Sequence, residues 1–344
     1  MGRVVTFEAP RKVGIAEYED SPLKPREVRL KTLYSGISAG TELTAYRGSN
    51  PYLSKRWEPE RRLYLDGETT IEYPVAGWGY EEVGEVSEVG AAVGLVRPGE
   101  VVYGTWGHRS STVVEEEWAA KRTLPAGVDP MVGAFSRIGA IALNAVLDAN
   151  IHLGEYVAVF GQGVPGLIAT QLTRLNGGTV IAVDGIPKRL ELAKTLGATH
   201  VVDFREQRPA EEIKRLTANL GADVCIEISG SYRGLQEATR AAAYNSAVVS
   251  AGFFQGEGAG LFLGEEFHHN RVRIVCSQIS GLSPALDHRW TVERLERTVM
   301  DLAAEQKIDL KPLVTHVFGA EEADEAFRLL DTSPAESVQV ILEF

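Results

Sequence analysis

Hydrophobic and polar positions follow two different patterns along the chain, and the pattern changes near residue 135. Before that point, short apolar runs such as "REVRLKTLY", "GEVSEVG" and "VVYGTW" are separated by Gly, Pro and Asp. Short runs bounded by turn residues are typical of strands in an all-β domain. The first part of the chain therefore predicts a compact β-barrel-like domain, with residues 50–72 as an insertion or loop without strand alternation.

Beyond residue 135, strand patterns and helix patterns alternate. "YVAVFG", "TVIAVD" and "ADVCIEIS" have the apolar character of buried strands, whereas "VPGLIATQLTRLNG" and "IPKRLELAKTLGA" have apolar residues at helical spacing. Strands and helices that alternate in this way predict a doubly wound parallel sheet. The expected fold class is therefore α/β, with a β-barrel domain in addition.

Composition excludes several classes of partner. The 344 residues carry 35 Lys and Arg against 47 Asp and Glu, a net charge of −12, which disfavours binding to a nucleic-acid backbone. No run reaches the ~20 apolar residues of a membrane span, so we expect none. Cys225 and Cys276 lie in apolar strand patterns, where we expect both thiols to be buried; two such cysteines indicate the reducing cytoplasm.

A glycine-rich loop follows the first strand of the second part. Gly161, Gly163 and Gly166 form the pattern G-x-G-x-x-G before a helix, and Asp184 ends the next strand. The first glycine permits a tight turn, the second lets a pyrophosphate approach, and the third lets the helix pack on the strand. Asp184 is suited to bind an adenosine ribose and to repel a 2′-phosphate. The loop therefore predicts a nicotinamide dinucleotide, NAD in preference to NADP.

Other residues are expected to contribute to the same cofactor site. Lys188 and Arg189 lie close enough to Asp184 to weaken the preference for NAD. The remaining expected cofactor residues are Gln162, Val164 and Pro165 in the loop, and Ser229 and Gly252 at the ends of later strands.

Taken together, these segments resemble the medium-chain dehydrogenase/reductase family over nearly the whole chain. The resemblance is carried by "SGISAGTEL", "GYEEVGEVSEVG", "VRPGEVVYG", "VFGQGVPGLIA" and the closing "ADEAFRLLD" and "VQVILEF". It implies a GroES-like substrate domain of residues 1–136 and 281–344, and a Rossmann dinucleotide-binding domain of residues 137–280. It also implies a homodimer or homotetramer.

The positions that hold catalytic zinc in this family carry other residues here. Ser38 stands at the Cys position in "GIS", Tyr80 at the His position in "GYE", and Arg137 near the third ligand position. Zinc prefers thiolate, imidazole or carboxylate ligands, so these residues predict a protein without catalytic zinc. The chain is thus similar to a zinc-lacking branch, the bacteriochlorophyllide-dehydrogenase-like group.

Without a metal, a hydrogen-bonding acid or base has to stabilise the alkoxide. Tyr80 is the first candidate if a cation such as Arg137 lowers its pKa; the alternative is that it fills the space left by the metal. Glu81 is expected to form an ion pair with Arg137, and His108 to relay a proton near the substrate. Purely structural roles for Glu81 and His108 stay open.

Several residues are expected to line the pocket for a small-molecule substrate. Gly40 stands at the family's proton-relay position, with Thr41 beside it. The expected pocket residues are Ser38, Thr41, Glu42, Arg47, Tyr103 and Trp106. Surface positions for Glu42 and Arg47, and core packing for the two aromatic residues, are the alternatives.

These observations predict a zinc-independent, NAD-dependent oxidoreductase. A hydride would be transferred between a secondary alcohol and the nicotinamide. The polar candidate residues favour a hydroxylated substrate such as a sugar, cyclitol or hydroxyethyl group. Two alternatives stay open. One is an NAD(P)H-dependent quinone or enone reductase, and the other is a dinucleotide-binding protein without catalysis.

Overall fold

The computed structural model describes residues 1–344, which form two compact units: Met1–Arg137 with Lys311–Phe344, and Ile138–Leu310. The strands are β1 (Gly2–Ala9), β2 (Lys12–Tyr18), β3 (Glu27–Ile37), β4 (Lys55–Glu58), β5 (Leu63–Asp66), β6 (Val75–Ala76), β7 (Glu82–Val89), β8 (Val101–Gly104), β9 (Ser111–Glu115), β10 (Tyr156–Phe160), β11 (Thr179–Asp184), β12 (His200–Asp203), β13 (Ala222–Glu227), β14 (Ala242–Ser250), β15 (Arg273–Cys276), β16 (Val314–Gly319) and β17 (Gln339–Glu343). The α-helices are α1 (Ala39–Arg47), α2 (Glu116–Ala120), α3 (Ser136–Asp148), α4 (Val164–Leu175), α5 (Pro187–Thr195), α6 (Pro209–Leu216), α7 (Tyr232–Ala241), α8 (Val292–Ala304) and α9 (Ala323–Thr332).

The first unit is built mainly from antiparallel strands. Its largest sheet has the order β16-β17-β3-β7-β8, with β9 also paired to β3, and a second sheet has the order β2-β1-β6. β17 pairs with β3 so that Ile341 lies opposite Gly36. The last strand of the chain therefore completes a sheet whose central strand lies near its start.

Aromatic packing joins the helices of the first unit to its strands. Phe7 of β1 meets Phe327 of α9 edge to face, with 5.0 Å between the ring centroids, and Tyr46 of α1 stacks on Phe327. All three side chains are buried in one hydrophobic cluster. Such pairs contribute ~0.5–1.5 kcal/mol beyond the area that they bury, so they help to fix α1, the helix that carries Glu42.

The second unit has one six-stranded parallel sheet in the order β12-β11-β10-β13-β14-β15. Its central strands are buried on both faces: Val157, Ile181 and Ile226 have no exposed surface. This strand order reverses direction between β10 and β13, which is the point where doubly wound folds bind dinucleotides. The predicted α/β class, with a Rossmann-type sheet and a separate β domain, is confirmed.

Residues 281–310 lie in the second unit, whereas the sequence analysis assigned them to the first. The reason is α8, whose Leu295, Val299 and Met300 have no exposed surface. A Cβ atom on Gly139 of α3 would lie 2.5 Å from Val299, so the two helices are in close contact within this unit. An amphipathic pattern predicts a buried face but not the element that covers it.

Two local features differ from the expectations. Within the expected loop at 50–72, β4 and β5 pair as a hairpin, in which Trp57 packs on Tyr64 with 5.0 Å between the ring centroids. Cys225 is buried, but Cys276 is exposed because β15 is an edge strand. One helical stretch, Pro130–Asp148, is apolar and long enough to cross a membrane, but 72% of that window is buried, as in a core helix.

Candidate active site

Three hydroxyl groups meet at the start of α1. Ser38 is the residue before this helix, and its hydroxyl is hydrogen-bonded to the Tyr80 hydroxyl just ahead of β7. The Thr41 hydroxyl lies 3.2 Å from the same Tyr80 oxygen. The structure thus brings together Ser38, Thr41 and Tyr80, as the sequence analysis expected. They meet as a chain of hydroxyls in which each group can donate and accept.

A buried ion pair lies next to these hydroxyls. Glu42 accepts a hydrogen bond of 2.7 Å from the Ser38 backbone N–H through Oε1, and its Oε2 lies 2.5 Å from His108 Nε2. The side chains of Glu42 and His108 are each only 1% exposed. Glu42 therefore does not line an entrance, and His108 is not a surface histidine. Their contact connects the turn before α1 to the loop that follows β8.

The far side of the His108 ring is also hydrogen-bonded. Ser35 Oγ lies 2.6 Å from His108 Nδ1, and the Ser35 hydroxyl donates to Glu82 Oε1 over 3.1 Å. Glu82 Oε2 accepts from the Trp106 backbone N–H over 2.6 Å. Because acceptors face both ring nitrogens, the arrangement suits an imidazolium that donates on each side.

The network was only partly visible in the sequence. Ser35 and Glu82 were not among the expected site residues, although a second glutamate in a buried strand pattern, in "GYEEVGEV", is a signal that could have drawn attention. Carboxylates are almost never fully buried unless they are paired. Glu82, without exposed surface, follows that rule through Ser35 and Trp106.

Burial and charge set the protonation of this cluster. Burial and the charge of Glu81 raise the pKa of Tyr80, so its phenol stays neutral. Burial raises the pKa of Glu81 well above its usual range, and the charges of Glu42 and Glu82 act in the same direction. Burial opposes the charged form of His108, but Glu42 and Glu82 outweigh it and raise its pKa.

These shifts bear on the expected roles of Tyr80 and Glu81. Tyr80 could act as a free base only if a cation lowered its pKa, but burial and the charge of Glu81 raise that pKa, so its phenol does not act as a free base near neutral pH. Neither carboxyl oxygen of Glu81 makes a well-formed hydrogen bond, although Gln339 and Ser38 lie close enough to oppose the pKa shift in part. Besides burial, the charges that raise the pKa of Glu81 are those of Glu42 and Glu82, and its ion pair with Arg137 stays a prediction.

Three expected pocket residues have other contacts. Arg47, in the last turn of α1, donates to Asp331 of α9 over 2.5 Å. Trp106 is 9% exposed and donates through Nε1 to the Thr32 hydroxyl, within the core cluster formed by β3, β7 and β8. Tyr103 is 2% exposed. The two aromatic residues therefore pack in the core of the first unit instead of forming pocket walls.

The donor set at the family's zinc-ligand positions does not fit zinc. Ser38 and Tyr80 offer hydroxyls that are hydrogen-bonded to each other, and the raised pKa keeps the phenol protonated. Arg137, the third residue, is a cation. No group of three or more His, Cys, Asp or Glu side chains is arranged to hold a metal ion.

The phosphate loop of the second unit has the geometry that a dinucleotide needs. Gly161 has φ +95°, and a Cβ atom there would lie 2.7 Å from Ser229. A Cβ atom on Gly163 would meet nothing closer than Arg189 Nη1 at 3.9 Å, so its backbone is open on that side. Val164 is the first residue of α4, and the free N–H groups of a helix N-terminus suit a pyrophosphate.

Asp184 closes the next strand beside this loop. Its carboxylate accepts from the backbone N–H groups of Gln162 (2.6 Å), Gly185 (2.7 Å) and Ile186 (2.9 Å), which leaves acceptor capacity for a ribose hydroxyl. The Gln162 side chain faces inward, where it donates to Val159 O and accepts from Thr170, so only its backbone belongs to the loop surface. Pro165 follows in the first turn of α4, and Lys188 is exposed on α5.

A cavity of about 670 Å³ lies in the second unit at this position. Gly161, Asp184 and Ser229 line it together with Phe204 and Arg233. The cavity is large enough for a nucleoside, and its lining combines an acceptor for ribose with an aromatic ring. The residues present therefore fit the adenosine end of a dinucleotide.

Comparisons with known proteins show similarity to dehydrogenases. The family described as zinc-binding dehydrogenase matches residues 165–295. The D-guloside 3-dehydrogenase of Shigella flexneri is 30% identical over 345 residues, which cover 98% of this chain and 98% of the relative. The sorbitol dehydrogenase of Halalkalibacterium halodurans is 26% identical and covers 94% of this chain and 93% of its own. A protein of Sinorhizobium meliloti 1021, crystallised with bound NADP, has a TM-score of 0.79 at 24% identity, covering 100% of this chain and 99% of its own.

Proposed function

This chain belongs to the zinc-binding dehydrogenase family of medium-chain dehydrogenases, and from that membership we propose that it oxidises a secondary alcohol of a sugar or polyol with NAD and without catalytic zinc. Membership makes it an oxidoreductase that acts on CH–OH groups and uses a nicotinamide cofactor. The observation that carries the finer proposal is the chain of hydroxyls formed by Ser38, Thr41 and Tyr80.

The hydroxyls supply the proton path that the reaction requires. Alcohol oxidation releases a proton from oxygen and a hydride from carbon, and a nicotinamide held at the dinucleotide site would supply the hydride acceptor. A neutral Tyr80 can accept the substrate proton as it passes its own to Thr41, whose half-buried hydroxyl in turn releases its own proton to solvent, so no free tyrosinate is needed. In the reverse direction the same phenol donates to the developing alkoxide. Ordinary acid–base assistance of this kind contributes ~10²–10⁴-fold.

Two features support the substrate class and the cofactor. Both curated relatives carry the names of dehydrogenases for hydroxylated compounds, D-gulosides and sorbitol. Asp184 supports NAD, because a carboxylate at the end of β11 repels a 2′-phosphate. Zinc independence rests on the donor chemistry of Ser38, Tyr80 and Arg137. A cytoplasmic location and a homodimer or homotetramer belong to the same proposal.

The test is an activity panel on the purified protein with its metal content measured in parallel. We expect reduction of NAD with sorbitol-like polyols or glycosides, slower reduction of NADP, and zinc well below one ion per chain by elemental mass spectrometry after mild chelation. Tyr80→Phe should lower kcat by ~10²–10⁴-fold, the range of acid–base assistance, and leave the KM for NAD unchanged.

The control is Tyr244→Phe, because Tyr244 is 67% exposed on β14 and outside the hydroxyl chain. Stoichiometric zinc that resists the chelator would contradict the metal-free proposal. Oxidation of NADPH by quinones without any alcohol activity would favour the reductase alternative. Tight NADH binding without turnover on alcohols, ketones or enones would favour a non-catalytic protein.

A further inference from the structure

Glu227 is a buried carboxylate that the proposed reaction does not use. It is the last residue of β13, has no exposed surface, and lies between Phe160 of β10 and Ser250 of β14. Ligands of doubly wound folds bind outside the carboxyl ends of these strands. Glu227 therefore lies directly beneath the edge of the sheet where a dinucleotide binds.

The side chain and the backbone of Glu227 hold two loops at this edge. Its carboxylate accepts hydrogen bonds from the backbone N–H groups of Ser229 (3.0 Å) and Gly230 (3.3 Å), and from the Ser229 hydroxyl. Its backbone carbonyl accepts from Ala251 (2.8 Å) and Gly252 (3.1 Å). One residue thus fixes both the loop after β13 and the loop after β14.

The loop after β13 is in contact with the phosphate loop. A Cβ atom on Gly161 would lie 2.7 Å from the Ser229 Cβ, so the two loops pack without a gap. Ser229, Ser231 and Gly161 line the same cavity. A displacement of Ser229 would therefore change the surface that a dinucleotide meets.

The pKa of the Glu227 carboxyl group lies near neutral pH. Burial raises its pKa to about 7, although the hydrogen bonds from Ser229 and the backbone N–H groups of Gly230 and Ser231 favour the ionised form. Among the packed elements, β10 and β14 place Phe160 and Ser250 opposite it, and neither titrates near neutral pH. The charged residues of α7 nearest in sequence to its contact at Gly234 are Arg233 and Glu237, which line the adjoining cavity.

We propose that Glu227 is a positioning residue of the dinucleotide site, whose ionised carboxylate holds the loop at Ser229 and Gly230 in the binding conformation, so that protonation weakens dinucleotide binding. A protonated carboxyl accepts more weakly, and its O–H then faces the N–H groups of Ser229 and Gly230 as donor against donor. The loop then loses a restraint, and the affinity for NADH falls as the pH decreases. This inference concerns cofactor binding alone and holds whichever alcohol is the substrate.

The test measures the dissociation constant of NADH by fluorescence titration at pH values about one unit on either side of the pKa of about 7. We expect it to rise about fivefold from the higher to the lower pH, the effect of losing one ordinary hydrogen bond. NADH is the probe because it lacks a 2′-phosphate that titrates near neutral pH.

Glu227→Gln separates positioning from general pH effects. Its amide nitrogen meets the Gly230 N–H as donor against donor, so the variant should bind NADH equally at both pH values, with the weaker affinity of the wild type at low pH. Glu191→Gln is the matched control, because Glu191 is a 70% exposed carboxylate on α5 that pairs with Lys194. This control should keep the wild-type profile.

Ser229→Ala keeps the test valid if Glu227→Gln does not fold. Removing one donor to the carboxylate raises its pKa further, so the midpoint of the affinity profile should move to higher pH. A wild-type profile that is flat, or that shows tighter binding at low pH, would overturn the proposal. Absence of NADH binding at every pH would do the same, whereas a failed alcohol panel would count against the proposed function only.

Discussion

At the scale of single residues, the first unit is unusual for the charge that it buries. Glu42, Glu82 and His108 are almost without exposed surface; Glu42 is hydrogen-bonded to His108, and Ser35 joins His108 to Glu82. The desolvation cost of such charges is offset only if geometry and partners are complete. Removing one member is therefore more costly than the pair itself is stabilising, because an uncompensated charge stays behind.

His108→Gln tests this and has a defined pH dependence. The raised pKa of His108 means that the folded protein binds its proton more tightly than the unfolded chain does. The stabilisation is fully present below the ordinary pKa of ~6.5 and is lost as the pH rises through the raised value. We expect His108→Gln to lower the free energy of unfolding by ~3–5 kcal/mol at low pH, and by less at alkaline pH.

Urea unfolding followed by tryptophan fluorescence is the measurement, because Trp57, Trp78, Trp106 and Trp118 report on the first unit and only Trp290 on the second. His152→Gln is the control. His152 also faces a glutamate, Glu155 at 3.2 Å, but it is 69% exposed, and surface pairs contribute ~0–1 kcal/mol. A cost for His108→Gln that does not change with pH would contradict the buried imidazolium.

The same residues mark a limit of sequence analysis. "GTEL" gave no sign that Glu42 is buried, because its partner His108 lies 66 positions away. A charged residue near a helix start is usually solvated, so the surface alternative was the natural one. By contrast, the meeting of Ser38 with Tyr80 was predictable, since the family resemblance places both at one site.

At the scale of elements, two glycines of the phosphate loop differ in the space around their Cα atoms. Gly163 has φ −72° and an open Cβ direction, so an alanine there fits the folded loop. At Gly166, a Cβ atom would overlap the carbonyl oxygen of Gly161, because α4 packs directly on the strand before it. Glycine at position 163 therefore leaves room for a ligand, whereas glycine at position 166 is required by the packing of the fold.

We therefore expect opposite results from two alanine variants. Gly163→Ala should keep the thermal stability of the wild type but weaken NADH binding by about tenfold or more, since a methyl group occupies the approach of the pyrophosphate. Gly166→Ala should lower the free energy of unfolding by ~1–3 kcal/mol through overpacking. Calorimetry and NADH titration on both variants give the comparison; equal effects on stability would refute this division.

Periodicity predicted most elements correctly, because buried strands and amphipathic helices leave local patterns. The hairpin of β4 and β5 was missed because charged residues interrupt its alternation, and because Trp57 and Tyr64, which pack across it, meet only after folding. The placement of α8 was missed for a related reason. Its apolar stripe was visible, but the helix α3 that covers it lies about 150 positions earlier.

At the scale of the whole molecule, the two units differ in how the chain builds them. The second unit is one continuous segment, Ile138–Leu310. The first unit is discontinuous, because it combines Met1–Arg137 with the last 34 residues of the chain. These last residues supply β17, which pairs with β3, and Phe327 of α9, which packs in the core of the unit. A continuous segment with its own core can fold alone, whereas a unit that lacks a central strand cannot.

Fragments test this difference. Residues 138–310 should fold by themselves and bind NADH with nearly the affinity of the full chain, because the phosphate loop, Asp184 and Glu227 all lie inside the segment. Residues 1–137 alone should stay unfolded. The sharpest control is 138–280, which lacks α8 because it ends at the C-terminal boundary, residue 280, that the sequence resemblance implied. Losing Leu295, Val299 and Met300 from the core removes ~1.5–3 kcal/mol for each side chain, a large share of the ~5–15 kcal/mol that stabilises a domain.

Circular dichroism melts and NADH titration of the three fragments are the measurements. A stable 138–280 would show that α8 does not belong to this core, and a folded 1–137 would show that β17 is dispensable to its sheet.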